Sequence, residues 1–182
     1  MNADGTGVRE IGGSLDVRGS AAWSPDGRWV TVGADAGSGL RLFKVPADGG
    51  SPIPMTDNQA MDPVWSPDGL FLVFSLRGSG PTVRLEAITA EGKPHALPEL
   101  ILPRSSRFAF LPDQPVLLVL KGEFWLKNFW RIDLSSGEQR QLTNFSREFL
   151  ISDFDVSPDG KEIVFGRLKD NSNVVLIDLP SR

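Results

Sequence analysis

The sequence predicts an all-β fold made of repeated four-stranded units, and three observations carry this prediction. One hairpin phrase occurs four times, its copies lie 42, 45 and 46 residues apart, and short apolar runs fill the intervals. The 182 residues also include 19 glycines and 14 prolines, which favour many tight turns. A repeat of about 40 to 50 residues is typical of a propeller in which each repeat forms one blade. We therefore expect a β-propeller of four four-stranded antiparallel blades.

The repeated phrase reads Ser-Pro-Asp-Gly, with an apolar residue before it and an apolar run after it. Proline presets φ for the second position of a turn, aspartate suits the third, and glycine takes the left-handed conformation that closes a hairpin. Each phrase therefore predicts a hairpin. The repeated positions are Trp23, Pro25, Asp26, Gly27; Trp65, Pro67, Asp68, Gly69; Phe110, Pro112, Asp113; and Val156, Pro158, Asp159, Gly160.

The residue immediately before each phrase is aromatic or valine. A tryptophan at a repeated strand position is more often a packing residue than a ligand-stacking one, so we expect these side chains to fill the space between neighbouring sheets. The third copy departs from the pattern, because Leu111 replaces the serine and Gln114 replaces the glycine. Its turn is the weakest of the four as a hairpin signal.

Each unit reads as strand a before the phrase, strand b after it, strand c after a polar loop, and a short strand d after a glycine turn. We expect a single domain over residues 1–182. The expected blades are about 17–57, 60–98, 104–143, and 150–180 together with 8–11. The expected d strands are 8–11, 51–55, 95–98 and 139–143, and residues 121–128 are expected to form a long aromatic b–c loop.

The chain begins at a c–d turn and its last unit stops where its own turn is expected. Two interpretations are compatible with these starting and stopping points within the repeat. The first strand completes the last blade and closes the ring, which removes exposed sheet edges. Alternatively, the sequence is an open arc cut from a larger propeller, an arrangement that allows self-association.

Composition excludes several function classes. The net charge of −4 gives no support to nucleic-acid binding, and the absence of cysteine excludes disulfides and zinc–thiolate sites. No apolar stretch approaches the roughly 20 residues of a membrane helix, so we expect no membrane insertion by this segment.

Catalytic and cofactor signatures are also missing. His95 is the only histidine and lies on an expected outer strand, while no G-x-S-x-G elbow supplies a nucleophile. One histidine is too few for the metal centre of a propeller lyase, and no calcium-loop or phosphate-loop motif occurs. We therefore expect a non-enzymatic protein without metal or cofactor.

Two groups of residues are candidates for partner binding. The first group lies three residues before the apolar residue that precedes each hairpin phrase, and it consists of Ser20, Asp62, Arg107 and Asp153. In a propeller, strand a is innermost, so these side chains are expected to surround one mouth of the central channel, where they bind a partner or simply satisfy each other. Phe124 and Trp125 are a second candidate, since clustered aromatic residues on a loop are typical of protein contacts.

With these motifs, the chain resembles the TolB-like, WD40-like (PD40) β-propeller repeat family, whose phrase W-S-P-D-G-x-x-ϕ-x-F is matched fully at 65–74. Its closing segment 153–179 resembles the propeller region of bacterial serine/threonine kinases and winged-helix regulators.

The resemblance implies a sensor or scaffold module that binds a protein or peptide. It also implies the C-terminal part of a larger bacterial protein, in a periplasmic or extracytoplasmic location. The alternative is the gating propeller of a prolyl-oligopeptidase-like hydrolase whose catalytic domain is absent from these residues.

Overall fold

A computed structural model describes residues 4–104, 106–123, 126–146 and 149–169 of the chain. The elements in these ranges are all β-strands, and each strand pairs antiparallel with its neighbours. Within the same ranges no helix has the length and apolar character needed to cross a membrane. The predicted all-β architecture of consecutive four-stranded blades is thereby confirmed.

The first two blades each begin with an innermost strand and proceed outward in sequence order. Blade 1 consists of β1 (Asp16–Trp23), β2 (Trp29–Asp35), β3 (Leu40–Pro46) and β4 (Ile53–Pro54). Blade 2 consists of β5 (Ala60–Trp65), β6 (Phe71–Leu76), β7 (Thr82–Thr89), β8 (Pro94–His95) and β9 (Ile101–Pro103). Both β8 and β9 pair with β7, so the outer edge of blade 2 has two segments and extends past the expected limit at residue 98.

The third blade repeats the four-stranded order, and two strands of the fourth are described. Blade 3 consists of β10 (Arg107–Phe110), β11 (Val116–Glu123), β12 (Leu126–Asp133) and β13 (Gln139–Gln141). Blade 4 contains β14 (Leu150–Val156) and β15 (Ile163–Leu168). The third strand expected for blade 4, at 173–179, lies outside the described residues.

Three of the four hairpins close through the same set of hydrogen bonds. In blade 1 the Ser24 hydroxyl donates to Asp26 Oδ1 at 2.6 Å and accepts the N–H of Trp29 at 3.0 Å. The equivalent bonds recur from Ser66 in blade 2 and from Ser157 in blade 4. Each serine therefore ties the turn to the first residues of the second strand.

The divergent third hairpin closes in a different way. Leu111 has no hydroxyl, but its N–H still donates to the carbonyl of Val116 at 2.9 Å. The left-handed residue is Asp113, with a φ of 57°, whereas in the other copies it is the glycine, as at Gly27. Aspartate tolerates this conformation better than most residues, so the hairpin forms without the glycine.

The prediction of a long loop at 121–128 is wrong for those of its residues that the structure describes. Lys121 pairs with Asn128 and Gly122 pairs with Lys127, so both sides of the expected loop continue β11 and β12. The strands approach closely because Gly122 has no Cβ, which would overlap the carbonyl oxygen of Leu126. Phe124 and Trp125 lie between these strands and outside the described residues.

Residues 8–11 do not form the predicted strand. Ile11 and Leu15 pack against the apolar face of blade 1, and the Arg9 guanidinium donates to the carbonyl of Ala47. This placement differs from the expected role of the segment as outer strand of the fourth blade. The segment instead covers the outer part of blade 1.

Apolar side chains fill each space between consecutive blades. Leu42 and Leu72 belong to the cluster between blades 1 and 2, and Val73 and Leu117 to the cluster between blades 2 and 3. Phe129 centres the cluster between blades 3 and 4. Full burial of one such side chain stabilises the fold by about 1.5–3 kcal/mol, which makes blade-to-blade packing a large stabilising contribution.

The first and last blades do not share such a cluster among the residues described. The two tryptophans that precede hairpin phrases, Trp23 and Trp65, differ in burial for this reason. The Trp65 indole is buried against blade 1 and donates to the Thr31 hydroxyl at 3.1 Å, whereas Trp23, at the same repeat position, is 61% exposed. The predicted core role is confirmed for Trp65 and wrong for Trp23, since no blade among the described residues packs on Trp23. The described residues therefore form an open arc.

The serine hydroxyls also set the acidity of the turns. The hydrogen bond from Ser24, followed by that from the Arg28 N–H, lowers the pKa of Asp26 from 3.8 to about 2. Equivalent bonds, from the serine hydroxyl first and a backbone N–H second, lower the pKa of Asp68 and of Asp159. A carboxyl whose folded pKa is depressed stabilises the fold above its unfolded pKa and loses that contribution as pH falls through the folded value.

We therefore expect Asp26→Asn to lower the urea midpoint at neutral pH and to flatten the loss of stability between pH 3.8 and about 2. The reason is that asparagine carries no charge to be neutralised there. Urea denaturation across this pH range measures both effects. Asp113→Asn is the matched control, because Leu111 replaces the serine in that hairpin and no hydroxyl-to-carboxylate hydrogen bond is lost. An Asp26→Asn profile as steep as that of the parent would contradict this account.

Candidate functional site

The inner strands of three blades carry an irregularity at overlapping repeat positions. The pairing register shifts between Arg18 and Ala21 in β1, between Met61 and Val64 in β5, and between Ile151 and Phe154 in β14. A β-bulge of this kind bends a strand and redirects its side chains. The bulges contain or adjoin the positions of Ser20, Asp62 and Asp153, so they determine where these polar groups point.

The structure brings Ser20, Asp62 and Arg107 together across three consecutive blades, and we call these residues the polar cluster. Asp62 Oδ1 accepts hydrogen bonds from the Ser20 hydroxyl at 3.1 Å and the Ser20 N–H at 3.3 Å. Arg107 Nη1 lies 3.6 Å from the same oxygen. Asp62 has a φ of 53°, unusual for a residue other than glycine, and this conformation is held by contacts on both sides.

Electrostatically, the polar cluster is balanced and partly open to solvent. The side chain of Asp62 is 24% exposed and that of Arg107 is 45% exposed. Ion pairs of this exposure contribute about 0–1 kcal/mol to stability. Burial first, and the charge of Arg107 second, lower the pKa of Lys127 on strand β12 of the same blade. Arg107 is the cationic member of the polar cluster and the more exposed of its two charged side chains.

The other predicted site residues are placed differently. Asp153 is exposed on β14, where its Oδ1 accepts the N–H of Phe154 at 2.9 Å. The described part of the chain shows no ion pair or hydrogen bond from Asp153 to the polar cluster. Phe124 and Trp125 lie outside the described residues, so that surface stays a prediction.

An apolar groove opens at the hairpin end of the same inner strands, and we call it the axial groove. It has a volume of about 360 Å³. Three equivalent positions of blades 1, 2 and 3 line it: Ala22, Trp23, Pro25; Val64, Trp65, Pro67; and Ala109, Phe110, Pro112. Sequence reasoning assigned these residues to hairpins and packing and missed the groove. Their equivalence in three copies could have indicated the groove, because equivalent strand ends face a common axis.

The histidine contributes no catalytic arrangement among the described residues. His95 lies on β8 with its ring stacked on Phe71, at a centroid distance of 4.2 Å and an interplanar angle of 11°. Within the described ranges, no group of three or more histidine, aspartate or glutamate side chains is arranged to hold a metal ion.

Comparison with solved structures places this arrangement in a known fold. The structure of a TolB-type protein from Agrobacterium tumefaciens superposes with a TM-score of 0.69 at 18% identity, covering 87% of this chain and 57% of the other. TolB from Acinetobacter baumannii gives a TM-score of 0.66 at 17% identity, covering 85% of this chain and 38% of the other. A prolyl endopeptidase structure gives a TM-score of 0.61 at 18% identity over 87% of this chain and 25% of the other.

These likenesses show a TolB-like β-propeller fold. The chain spans between a quarter and about three fifths of the length of these structures. No protein-family model matches the sequence. A search of curated proteins likewise finds no match.

Gly19 is the position on which the polar cluster most closely depends. Its φ is +77°, and a Cβ there would lie 2.6 Å from Asp62 Oδ1. We expect Gly19→Ala to cost about 1–2 kcal/mol for the left-handed conformation, and more for displacing the Asp62 carboxylate. Urea denaturation measures the free energy of unfolding.

The matched control is Gly37→Ala, because Gly37 has a φ of +90° and its added Cβ would have no neighbour within 4 Å. It should show only the conformational cost. In an Asp62→Gly background the additional cost of Gly19→Ala should vanish. Equal costs for Gly19→Ala and Gly37→Ala would disprove the coupling between Gly19 and Asp62.

Proposed function

We propose that the chain is a non-enzymatic β-propeller module that binds an extended segment of a protein or peptide along its inner strands. The observation that carries the proposal is the axial groove, which the same three positions of three consecutive blades build from apolar side chains. An exposed apolar surface with polar groups at its rim is typical of a contact site for a protein or peptide.

The polar cluster supplies the second part of the site. It lies three residues before the groove-lining aromatic position on each inner strand, a separation of about 10 Å along a strand. A segment in extended conformation covers such a distance with three residues. Arg107, the more exposed charged side chain of the polar cluster, favours an acidic group at this end, while Pro67 and Phe110 favour apolar side chains at the other.

In this proposal the module acts as the sensor or scaffold region of a larger bacterial protein. The resemblance of its hairpin phrase to repeats in bacterial kinases and winged-helix regulators supports a signalling role. The TolB-like fold supports a periplasmic or extracytoplasmic location. Both attributes belong to the proposal and rest on likeness of repeat and fold.

A second candidate is the gating propeller of a prolyl-oligopeptidase-like serine hydrolase, and the likeness to a prolyl endopeptidase structure favours it. The two candidates differ in how they treat peptides. A gate admits peptides to a catalytic domain without retaining a particular sequence, whereas a binding module selects and holds one.

Selection from a phage-displayed library of random peptides tests the proposal. We expect enriched peptides to combine apolar residues with an acidic residue. Arg107→Glu should weaken their binding about tenfold or more, since it places a like charge opposite the acidic group. Pro25→Glu should weaken it as well, because Pro25 forms one wall of the groove. Fluorescence anisotropy with a labelled selected peptide measures the dissociation constants.

Ile101→Glu is the matched control, because Ile101 is 57% exposed on the outer strand β9, which does not line the groove. Circular dichroism establishes that all variants remain folded. Enrichment of no peptide, or equal binding by the parent and Arg107→Glu, would refute the binding module. Peptides bound without sequence preference would favour the gating role.

A further inference from the structure

Every internal interface between blades brings the same two repeat positions together. One is the apolar residue before the hairpin, and the other lies eight residues after it in the preceding blade. Trp65 packs on Thr31 at the first interface. Phe110 shares one cluster with Val73 at the second, and Val156 shares one with Leu118 at the third. The pattern continues although the side chains at these positions change.

The two ends of the arc each expose one half of this interface. On blade 1, Trp23 occupies the first position and is 61% exposed. On blade 4, Val164 occupies the second position and is 69% exposed. Neither meets its counterpart among the described residues, because the first and fourth blades share no apolar cluster there.

Strand pairing shows that each exposed residue belongs to a wider apolar face. Trp23 pairs with Val30 and Val17 pairs with Ala34, so Trp23 and Val17 lie on one side of blade 1, which we call the head face. Val17 is 50% exposed. Side chains alternate along a strand, so Val164 and Leu168 share the side of β15 turned away from blade 3, which we call the tail face. Leu168 is 56% exposed.

The N-terminal segment leaves the inner part of the head face open. Ile11 and Leu15 pack on the cluster that contains Val30 and Val45. At the next interface, Met55 packs in the corresponding way against blade 2, alongside the buried Trp65. A residue in the place of Ile11 is therefore compatible with a blade seated on the neighbouring tryptophan. Trp23 is exposed because no blade among the described residues lies on it.

We propose that two copies of this chain associate head to tail, with Trp23 of one copy packing on Val164 of the other. At each of the three internal interfaces, the face of a blade that corresponds to the head face packs against the neighbouring blade on the side that corresponds to the tail face. The head face of blade 1 therefore suits the tail face of a second copy. Both faces are present on one chain, so a second copy supplies the missing half at each end.

A polar acceptor accompanies the proposed contact. At the first internal interface the Trp65 indole N–H has the Thr31 hydroxyl as its partner. On the tail face, Asp155 pairs with Val164 across the strands and is exposed on the same side. Its carboxylate is therefore available to accept a hydrogen bond from the Trp23 indole of the second copy. The contact joins different surfaces, so two copies form a ring if the rotation closes and a chain of copies if it does not.

Sedimentation velocity of the full chain over a range of concentrations tests the proposal. We expect the parent to associate, either as a discrete dimer or as a series of larger species. Trp23→Glu removes the head face and Val164→Glu removes the tail face. Each change should raise the apparent dissociation constant about thirtyfold or more, as expected for loss of a central aromatic contact.

Mixing the two variants provides the sharper result. Trp23→Glu keeps an intact tail face and Val164→Glu keeps an intact head face, so the mixture should form a one-to-one complex although each variant alone is monomeric. Val17→Glu and Leu168→Glu are second variants of the same faces, should either first change disturb folding. Leu70→Glu is the matched control, since Leu70 is 67% exposed beside a hairpin where blades 1 and 4 have Arg28 and Lys161.

Three outcomes would overturn the proposal. A parent that stays monomeric at every concentration would mean that its own fourth blade, or nothing, covers Trp23. Association that persists in both Trp23→Glu and Val164→Glu would place the interface elsewhere. A mixture that remains monomeric while both variants are folded by circular dichroism would exclude a contact between the head and tail faces.

Discussion

The closure of the hairpin is the constraint on which the remaining structure depends, and in three of the four copies a serine hydroxyl provides it. Ser24 binds the carboxylate of Asp26 and the N–H of Trp29 together, so the turn and the first residue of the next strand have one fixed relation. Side chains alternate along a strand, so this register decides which face each residue of β2 occupies. Thr31 consequently faces blade 2, whereas Val30 faces the N-terminal segment. The hairpin thus determines how each blade contacts the next.

Blade-to-blade packing then explains why equal residues have unequal surroundings. Trp23 and Trp65 follow from the same local sequence and the same hairpin, yet one is exposed and the other is buried. The difference arises because blade 1 packs on Trp65, whereas no blade among the described residues packs on Trp23. A propeller is a quasi-one-dimensional array in this respect, because each unit is stabilised by its neighbours and a terminal unit has one face uncovered.

Sequence reasoning predicted the hairpins and the order of strands because their causes are local. It did not predict that Lys121 and Asn128 would pair, since a closely spaced hairpin there carries no proline or Asp-Gly signal. Nor did it predict the exposure of Trp23, which depends on a neighbouring blade. At the candidate site, equivalent positions pointed to Ser20, Asp62 and Arg107. The bulge and the positive φ of Asp62 were beyond prediction, because no glycine in 60–65 signals them.

The division between constant and variable positions bears on where binding specificity can reside. The hairpin residues repeat because every blade needs the same turn, so they cannot distinguish one blade from another. Three residues earlier, the chain has serine, aspartate, arginine and aspartate in turn. The strands of the serine and of both aspartates bulge near these residues, whereas the strand of Arg107 pairs regularly. Because the charge at this repeated position differs from blade to blade, the groove is not equivalent in its two directions. Under the proposed function, a bound segment is recognised in one orientation, with its acidic end toward Arg107.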